Sequence, residues 1–377
     1  MLIVRLLFKN AFRHKFRAFL TILSITIAIL AFVMLRTVIG AWYAGADASS
    51  ASRLVSRNAV SIIFPLPLSY KDRIQQIDGV RLVSYGNWFG GIYIDEKNFF
   101  ANFAVEPKTY LDLYPEYVLA PKERNAFLKD RKAFAAGKKL AAKYGWKIGD
   151  IVTLRGTIYP GNWDFILRAI YHGKTDSVDE TQFFFHWAYL NETMKKTAPS
   201  RADEVGFYMI GVDNPDLSTS ISAAIDKSFK NSWAETLTET EKAFQQGFIA
   251  MSGAIITAIE TVSFVVIFIM LAVVANTMAM TTRERIGEYA ILKTLGFGGW
   301  AIGSLIAGES VIISLCGYFC GVALSFPAAA GFKQALGMYF PIFKVETVSL
   351  VMALVSSLIV AILAAIVPIQ RAIGIRI

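Results

Sequence analysis

The sequence predicts an α-helical membrane protein, with four transmembrane helices and a mixed α/β extracytoplasmic domain inserted between the first and the second. Three observations predict it. Of 377 residues, 55% are hydrophobic and only 18% are charged, against roughly 25% charged in soluble globular domains. Four stretches reach the roughly 20 mostly apolar residues that a bilayer-crossing helix needs. Lys and Arg gather at one set of their ends, which orients them in the membrane.

Residues 1–17 come first. Arg5, Lys9, Arg13 and Arg17 are each four apart and form one stripe on a helix, while Leu2, Ile3, Leu6 and Leu7 supply an apolar face. Like charges at that spacing disfavour an isolated helix, and an anionic lipid surface relieves them. The segment is either an amphipathic helix in the cytoplasmic interface or a plain positive-inside tail. The first span follows at 18–41, with its apolar run from Phe19 to Gly40. That run exceeds the roughly 7–15 residues of a signal-peptide core, so it is expected to be retained.

Residues 42–249 are the expected extracytoplasmic domain. Strands are expected at Ala59–Phe64, Val80–Tyr85, Ile151–Leu154, Phe165–Tyr171, Gln182–Leu190 and Val205–Val212, rich in aromatic and β-branched residues. Ser69 with Asp72 resembles a capping box for a short helix ending at Gly79. Helices are also expected at Lys138–Tyr144 and Leu217–Phe229, and the polar run Glu235–Gln246 reads as a helix leading to the second span. The remaining segments are a second span at 250–281, a cytoplasmic loop at 282–298, and a third span at 299–331. A short outer loop at 332–346, a fourth span at 347–369 and a cytoplasmic tail at 370–377 complete the chain.

Charge orients these elements. Arg5, Lys9, Arg13, Lys15 and Arg17 precede the first span, Arg283, Arg285 and Lys293 fill the loop after the second, and Arg371 and Arg376 follow the fourth. Both termini are therefore expected in the cytoplasm. The net charge of +9 is not a nucleic-acid patch, because many of the basic residues flank apolar segments.

Motifs for chemistry are sparse. Gly156 to Gly161 has the glycine spacing of a phosphate-binding P-loop, but Asn162 and Trp163 replace its Lys and Ser/Thr. Three histidines, His14, His172 and His186, show no metal-binding spacing, and no G-x-S-x-G elbow appears. The cysteines, Cys316 and Cys320, share a face of the third span. Arg36 and Glu260 fall near the outer ends of the first two spans. Glu309 lies about nine residues inside the third, roughly 13 Å from its start. An ionisable group at that depth has to face protein or water, as a coupling contact or a structural hydrogen bond. Gly317 and Gly321 form a G-x-x-x-G that lets helices approach closely.

The loop after the second span reads N-T-M-A-M-T-T-R-E-R-I-G-E-Y-A-I-L-K-T-L-G-F, from Asn276 to Phe297. It resembles the signature of FtsX-like permeases, the membrane subunits of MacB-type (type VII) ABC transporters, in which an apolar helix is followed by R-x-R-x-x-E-x-A-x-L-K/R-x-L-G. Arg283, Arg285, Glu288, Ala290, Leu292, Lys293, Leu295 and Gly296 occupy those positions. The basic start from Lys9 to Lys15 and the exit from Pro368 to Ala372 also resemble the family. Leu140 to Leu154, ending in G-D-I-V-T-L, is similar to part of the MacB-like periplasmic core domain. The family continues past its last helix into a P-x-E-A-L segment, and this sequence ends at Ile377 without one.

The resemblance implies a permease in the cell inner membrane with no enzymatic activity or cofactor of its own. ATP and Mg would be used by a separate cytoplasmic ABC ATPase dimer. The segment around Arg283, Glu284, Arg285, Glu288, Tyr289, Leu292, Lys293 and Gly296 would be the coupling helix that docks on it. A second permease would complete a homodimer or heterodimer. A periplasmic adaptor or lipoprotein and membrane lipids are further implied partners, and nucleic acid is not. The implied function is mechanotransmission: ATP hydrolysis moves the periplasmic domain to export or extract a lipoprotein, peptide or small molecule. The alternatives are an FtsX-like scaffold regulating a periplasmic partner such as a cell-wall hydrolase, or a membrane sensor without transport.

Overall fold

The computed structural model describes residues 2–337, 340 and 342–374, with side chains from Leu7 onward except that of Leu336. Among these residues the chain forms two compact units. One comprises Met1–Trp42, Ser252–Gly337 and Phe343–Ile377, and the other Tyr43–Met251 with Met338–Ile342.

In chain order, helices α1 (Leu2–Ala11) and α2 (Lys15–Ala48) come first. They are followed by β1 (Arg53–Asn58), β2 (Leu66–Pro67), α3 (Tyr70–Gln75), β3 (Val80–Trp88), β4 (Gly91–Ile92), β5 (Asn102–Val105), α4 (Pro107–Leu113) and β6 (Tyr117–Val118). Next come α5 (Pro121–Lys129), β7 (Ala133–Gly137), α6 (Lys138–Tyr144), β8 (Ile151–Gly156), β9 (Gly161–Gly173), β10 (Phe183–His186) and α7 (Trp187–Thr197). The chain closes with β11 (Glu204–Val205), β12 (Phe207–Val212), α8 (Ser218–Ser228), β13 (Thr236–Thr240), α9 (Glu241–Met251), α10 (Gly253–Glu284), α11 (Ile286–Thr294), α12 (Gly299–Leu336) and α13 (Thr347–Ile373).

The first unit is helical, and four of its helices, α2, α10, α12 and α13, are long and apolar enough to cross a membrane. In hydrocarbon every backbone polar group needs an internal partner, which an α-helix supplies. Polar side chains within these helices bond back to their own backbone. Thr37 Oγ1 donates to the Val33 carbonyl at 2.7 Å, and Ser263 Oγ to that of Ile259 at 2.9 Å. Others join helices: Ser310 of α12 donates to the Ala361 carbonyl of α13 at 2.8 Å. Gly317 and Gly321 let α12 approach α2. A Cβ on Gly317 would lie 2.5 Å from Ile25, and one on Gly321 would lie 2.9 Å from the Thr26 carbonyl oxygen.

The second unit is built on a mixed sheet in the order β13-β1-β12-β3-β5-β10-β7-β9-β8-β4, with β6 pairing β9 off this path. The β5–β10 and β7–β9 pairs are parallel, and the others on the path are antiparallel. Both faces are covered, as a sheet with parallel pairs requires. Phe183 and Phe185 of β10 point into one core with Leu140 of α6 and Ile221 of α8. Phe184, between them, points into the other with Tyr110 of α4. Where the chain enters and leaves this unit, a buried ionic group holds the ends. Arg53 Nε lies 2.7 Å from Glu241 Oε2, and its Nη2 lies 2.7 Å from Glu116. Tyr114 OH donates to the other Glu241 oxygen at 2.9 Å. Burial opposes the charge on Arg53, but its glutamates and Tyr114 outweigh that and raise its pKa.

The structure corrects several expectations. The strand placed at Ala59–Phe64 is instead β1, at Arg53–Asn58, and the apolar run after it is an exposed loop, with Ile63 86% accessible. Ser69 makes no side-chain cap bond, and the short helix ends at Gln75, before Gly79. Gln182–Leu190 is a strand only over Phe183–His186, after which Trp187, Leu190, Asn191 and Met194 bury one face of a helix. Glu235–Gln246 opens as strand β13 before turning into α9. The helix that carries the first expected span, 18–41, runs on past it at both ends, over the 34 residues Lys15–Ala48.

Two outcomes follow for stability. Gly321→Leu is expected to push α2 and α12 apart and cost about 1–3 kcal/mol, the usual range for overpacking. Thermal unfolding in detergent reads this, with Gly331→Ala as control, because a Cβ there meets nothing within 4 Å. His186 is buried, with Nε2 2.6 Å from the Phe127 carbonyl oxygen, and burial lowers its pKa below the ordinary value. A group buried neutral stabilises the fold above its unfolded pKa of about 6.5 and loses that contribution as pH falls below it. Wild type should therefore lose more thermal stability than His186→Gln between about pH 7.5 and 5.

Candidate functional site

The loop joining α10 to α12 is built around one backbone break. Arg285 leaves the helical path at φ −101° and ψ 12°, ending α10 before the nine-residue α11 starts. Gly296 then closes α11. At φ +88° it takes the left-handed conformation that glycine adopts without penalty. Gly296 N–H donates to the Lys293 carbonyl at 3.1 Å, and Phe297 N–H to that of Leu292 at 3.0 Å. This pair of bonds is the Schellman closure, so Gly296 has a structural reason for its place.

Arg285 points inward and is 8% exposed. Its Nη1 lies 2.5 Å from Glu309 Oε1 in α12, and its Nε lies 3.0 Å from Glu288 Oε2. Glu309, only 2% exposed, thus has the partner that its depth demands. Burial opposes the charge on Arg285, but Glu309 and Glu288 outweigh it and raise its pKa. Glu288 is lowered by its bonds to Arg285 and Arg13. The Arg285 guanidinium also stands 5.4 Å from the Tyr289 ring. Tyr289 is buried, which pushes its hydroxyl up to about 12.

The residues expected on the coupling helix divide between two faces. Arg285, Glu288, Tyr289 and Leu292 follow the i, i+3, i+4, i+7 spacing of one helix face. Arg285 and Tyr289 are buried, Glu288 pairs with Arg285, and Leu292 packs on the core of the helical unit. Lys293 Nζ donates to the Ile373 carbonyl of α13 at 2.8 Å. The rest of the helix surface is exposed: Ile291 and Leu295 stand one turn apart on it, Gly287 and Thr294 lie between them and Ile286, and Phe297 is exposed beyond its end. Trp300, at the start of α12, is 93% exposed.

Two of the four basic residues expected at a lipid surface, Arg13 and Arg17, pair with carboxylates of the chain. Arg17 holds Glu284 through two bonds of 2.7 and 2.6 Å, and Arg13 pairs with Glu288. His14 lies 3.6 Å from Glu284. Lys9 is exposed, and the side chains of Arg5 and Arg376 lie outside the described residues. Matched spacing was a signal for this pairing, since Arg13 and Arg17 are four apart, as are Glu284 and Glu288. Arg36 lies 3.8 Å from Glu260. Gly156 and Gly161 face each other across the β8–β9 hairpin, where a strand follows instead of the helix that a P-loop opens.

Removing Arg285 leaves the Glu309 carboxylate buried and unpaired. Arg285→Leu should lower unfolding stability by about 3–5 kcal/mol, and adding Glu309→Leu should recover most of it. Thermal unfolding of both variants in detergent checks this.

Residues 260–377 match the family described as FtsX-like permease C-terminal. A Methanocaldococcus jannaschii protein described as an uncharacterized ABC transporter permease is 24% identical over 352 residues, covering 85% of this chain and 82% of its own. Among solved structures, the periplasmic region of MacB from Actinobacillus actinomycetemcomitans is similar at 8% identity and a TM-score of 0.37, over 52% of this chain and 92% of its own. The extracellular domain of the noncanonic ABC-type transporter YknZ from Gram-positive bacteria is similar at 12% identity and a TM-score of 0.36, over 50% of this chain and 98% of its own. The buried Arg285–Glu309 pair, the inward face of α11 and its Gly296 closure thus all lie within the segment, residues 260–377, that matches the FtsX-like permease C-terminal family.

Proposed function

We propose that this chain is the membrane permease of a MacB-type ABC transporter and that α11 docks a separate cytoplasmic ATPase. The observation that carries the reading is the two-sided α11. One face is anchored inward by Arg285, Tyr289 and Leu292, and the exposed remainder carries Ile291 and Leu295 one turn apart, with Ile286 and Phe297 exposed towards its two ends. A helix that is anchored on one side and exposes apolar side chains elsewhere suits docking, because buried apolar anchors carry most of the energy of an interface. The family match over this segment supports the same reading.

ATP and Mg belong to the partner subunit in this reading. The Lys and Arg distribution supports a topology with α11 and both termini in the cytoplasm and the α/β unit outside it. ATP binding and hydrolysis would change how the helices associate, and α2 and α10 would carry that motion to the α/β unit. The unit then exports or extracts a substrate such as a lipoprotein, peptide or small molecule. A second permease completes the assembly.

Purification of the tagged chain from native membranes in mild detergent, with mass spectrometry of its companions, tests this. An ABC ATPase should accompany the wild type. Ile291→Asp with Leu295→Asp should reduce its recovery by about tenfold or more, as loss of central apolar anchors does. Absence of any ATPase beside the folded wild type overturns the reading.

A further inference from the structure

We propose that Arg13 and Arg17 are positioning residues: they latch the N-terminal end of α2 to the joint between α10 and the docking helix, so that a displacement of α11 is delivered to α2 as well as to α10. In its consequence for transport this rests on the ATPase-docking reading above. The latch itself stands on the geometry of the helical unit alone.

Chain connectivity poses the problem. Helix α11 follows α10 through a single residue, Arg285, and runs into α12 after Gly296. It therefore drives both of them through the backbone. Helix α2 is separated from it by the whole α/β unit and has no short covalent route to α11. Any direct transmission to α2 has to cross side-chain contacts.

Those contacts are present. Arg17, in the first turn of α2, grips Glu284 at the last residue of α10 with both guanidinium nitrogens. Arg13, in the turn before α2, pairs with Glu288 of α11. Glu288 also holds Arg285, and Arg285 holds Glu309. The result is an alternating chain of charges from the surface of the N-terminal segment to a buried carboxylate in α12. Helix α1 closes the far side. Leu7 lies against Gly308, where a Cβ would come within 2.9 Å of it, and Asn10 lies against Glu309.

The latch differs from a packed core in two ways that suit a moving joint. The side chains of Arg13, Glu284 and Glu288 are 53, 37 and 43% exposed, and pairs this open are individually weak and screened by salt. A cavity of ≈ 20 Å³ lies between the elements, lined by Asn10, His14, Arg17, Thr277, Thr281 and Glu309. Ala11, Ala18, Met278 and Ile313 complete its lining, and it has room for about one water. Glu288 lies one turn before Ile291 and two before Leu295 on the same side of α11, so the latch borders the surface offered for docking.

The full chain in detergent, alone and with its ATPase, tests the proposal through Arg17→Glu, Glu284→Arg and the reciprocal swap of both. In the chain alone, amide hydrogen exchange at 286–294 and over the first turn of α2 should rise about threefold in each single variant and return in the swap. With the ATPase present, permease-stimulated hydrolysis should fall by about threefold in Arg17→Glu and recover in the swap, while the ATPase still co-purifies. The uncharged pair Arg17→Gln with Glu284→Gln should behave like the single variants. Unchanged exchange in the singles, or a swap that restores neither readout, overturns the latch. Restored exchange in the swap with no ATPase beside the wild type would sustain the latch and sink the docking reading.

Discussion

A carboxylate buried among apolar helices has to be neutralised, and the contact between Glu309 and Arg285 does this. Much of the helical unit follows from it. To reach Glu309, Arg285 must turn into the bundle at the point where α10 stops, and the backbone breaks there. Beyond the break, α11 has Tyr289 and Leu292 inside, and Ile286, Ile291 and Leu295 outside. One electrostatic requirement thus selects which face of a short helix remains free.

The two units are stabilised under different rules. In the helical unit, lipid offers no hydrophobic gain for bringing helices together, so close backbone approach and hydroxyl-to-carbonyl bonds hold it. Gly317 and Gly321 against α2, and Ser310 against α13, are of that kind. In the α/β unit water drives burial, and aromatic rings fill the core: Phe134 and Phe183 stack at 4.1 Å, and Phe89 meets Tyr159, Trp163, Phe165 and Phe185.

The spans were legible in the sequence because bilayer thickness fixes a length that few other structures share. Gly296 was legible as part of a motif, and its left-handed backbone supplies the reason. Strand β1 was not legible. Its Arg53, Ser56 and Asn58 look like loop residues, yet they are buried through partners far along the chain, such as Glu241 for Arg53. The exposed run that follows has the composition of a strand without a sheet to enter. Charge on a short loop suggests an outward surface, whereas the spacing of Arg285, Glu288, Tyr289 and Leu292 marks one stripe, and Glu309 determines that the stripe turns inward. Local pattern carries periodicity; it does not carry the identity of a partner many residues away.

The ionic group around Arg53 and Glu241 bears on the modularity of the chain. Ser50 N–H lies 3.4 Å from the Glu241 carboxylate, and Asp47 lies 3.3 Å from Lys242, so the entering and leaving segments of the α/β unit run side by side. An insertion whose ends already meet adds little loop-closure cost to its host. The unit is therefore a cassette. Four helices of this kind could carry a differently shaped domain, provided its ends met at a similar spacing, without redesign of the joint between α10 and α12.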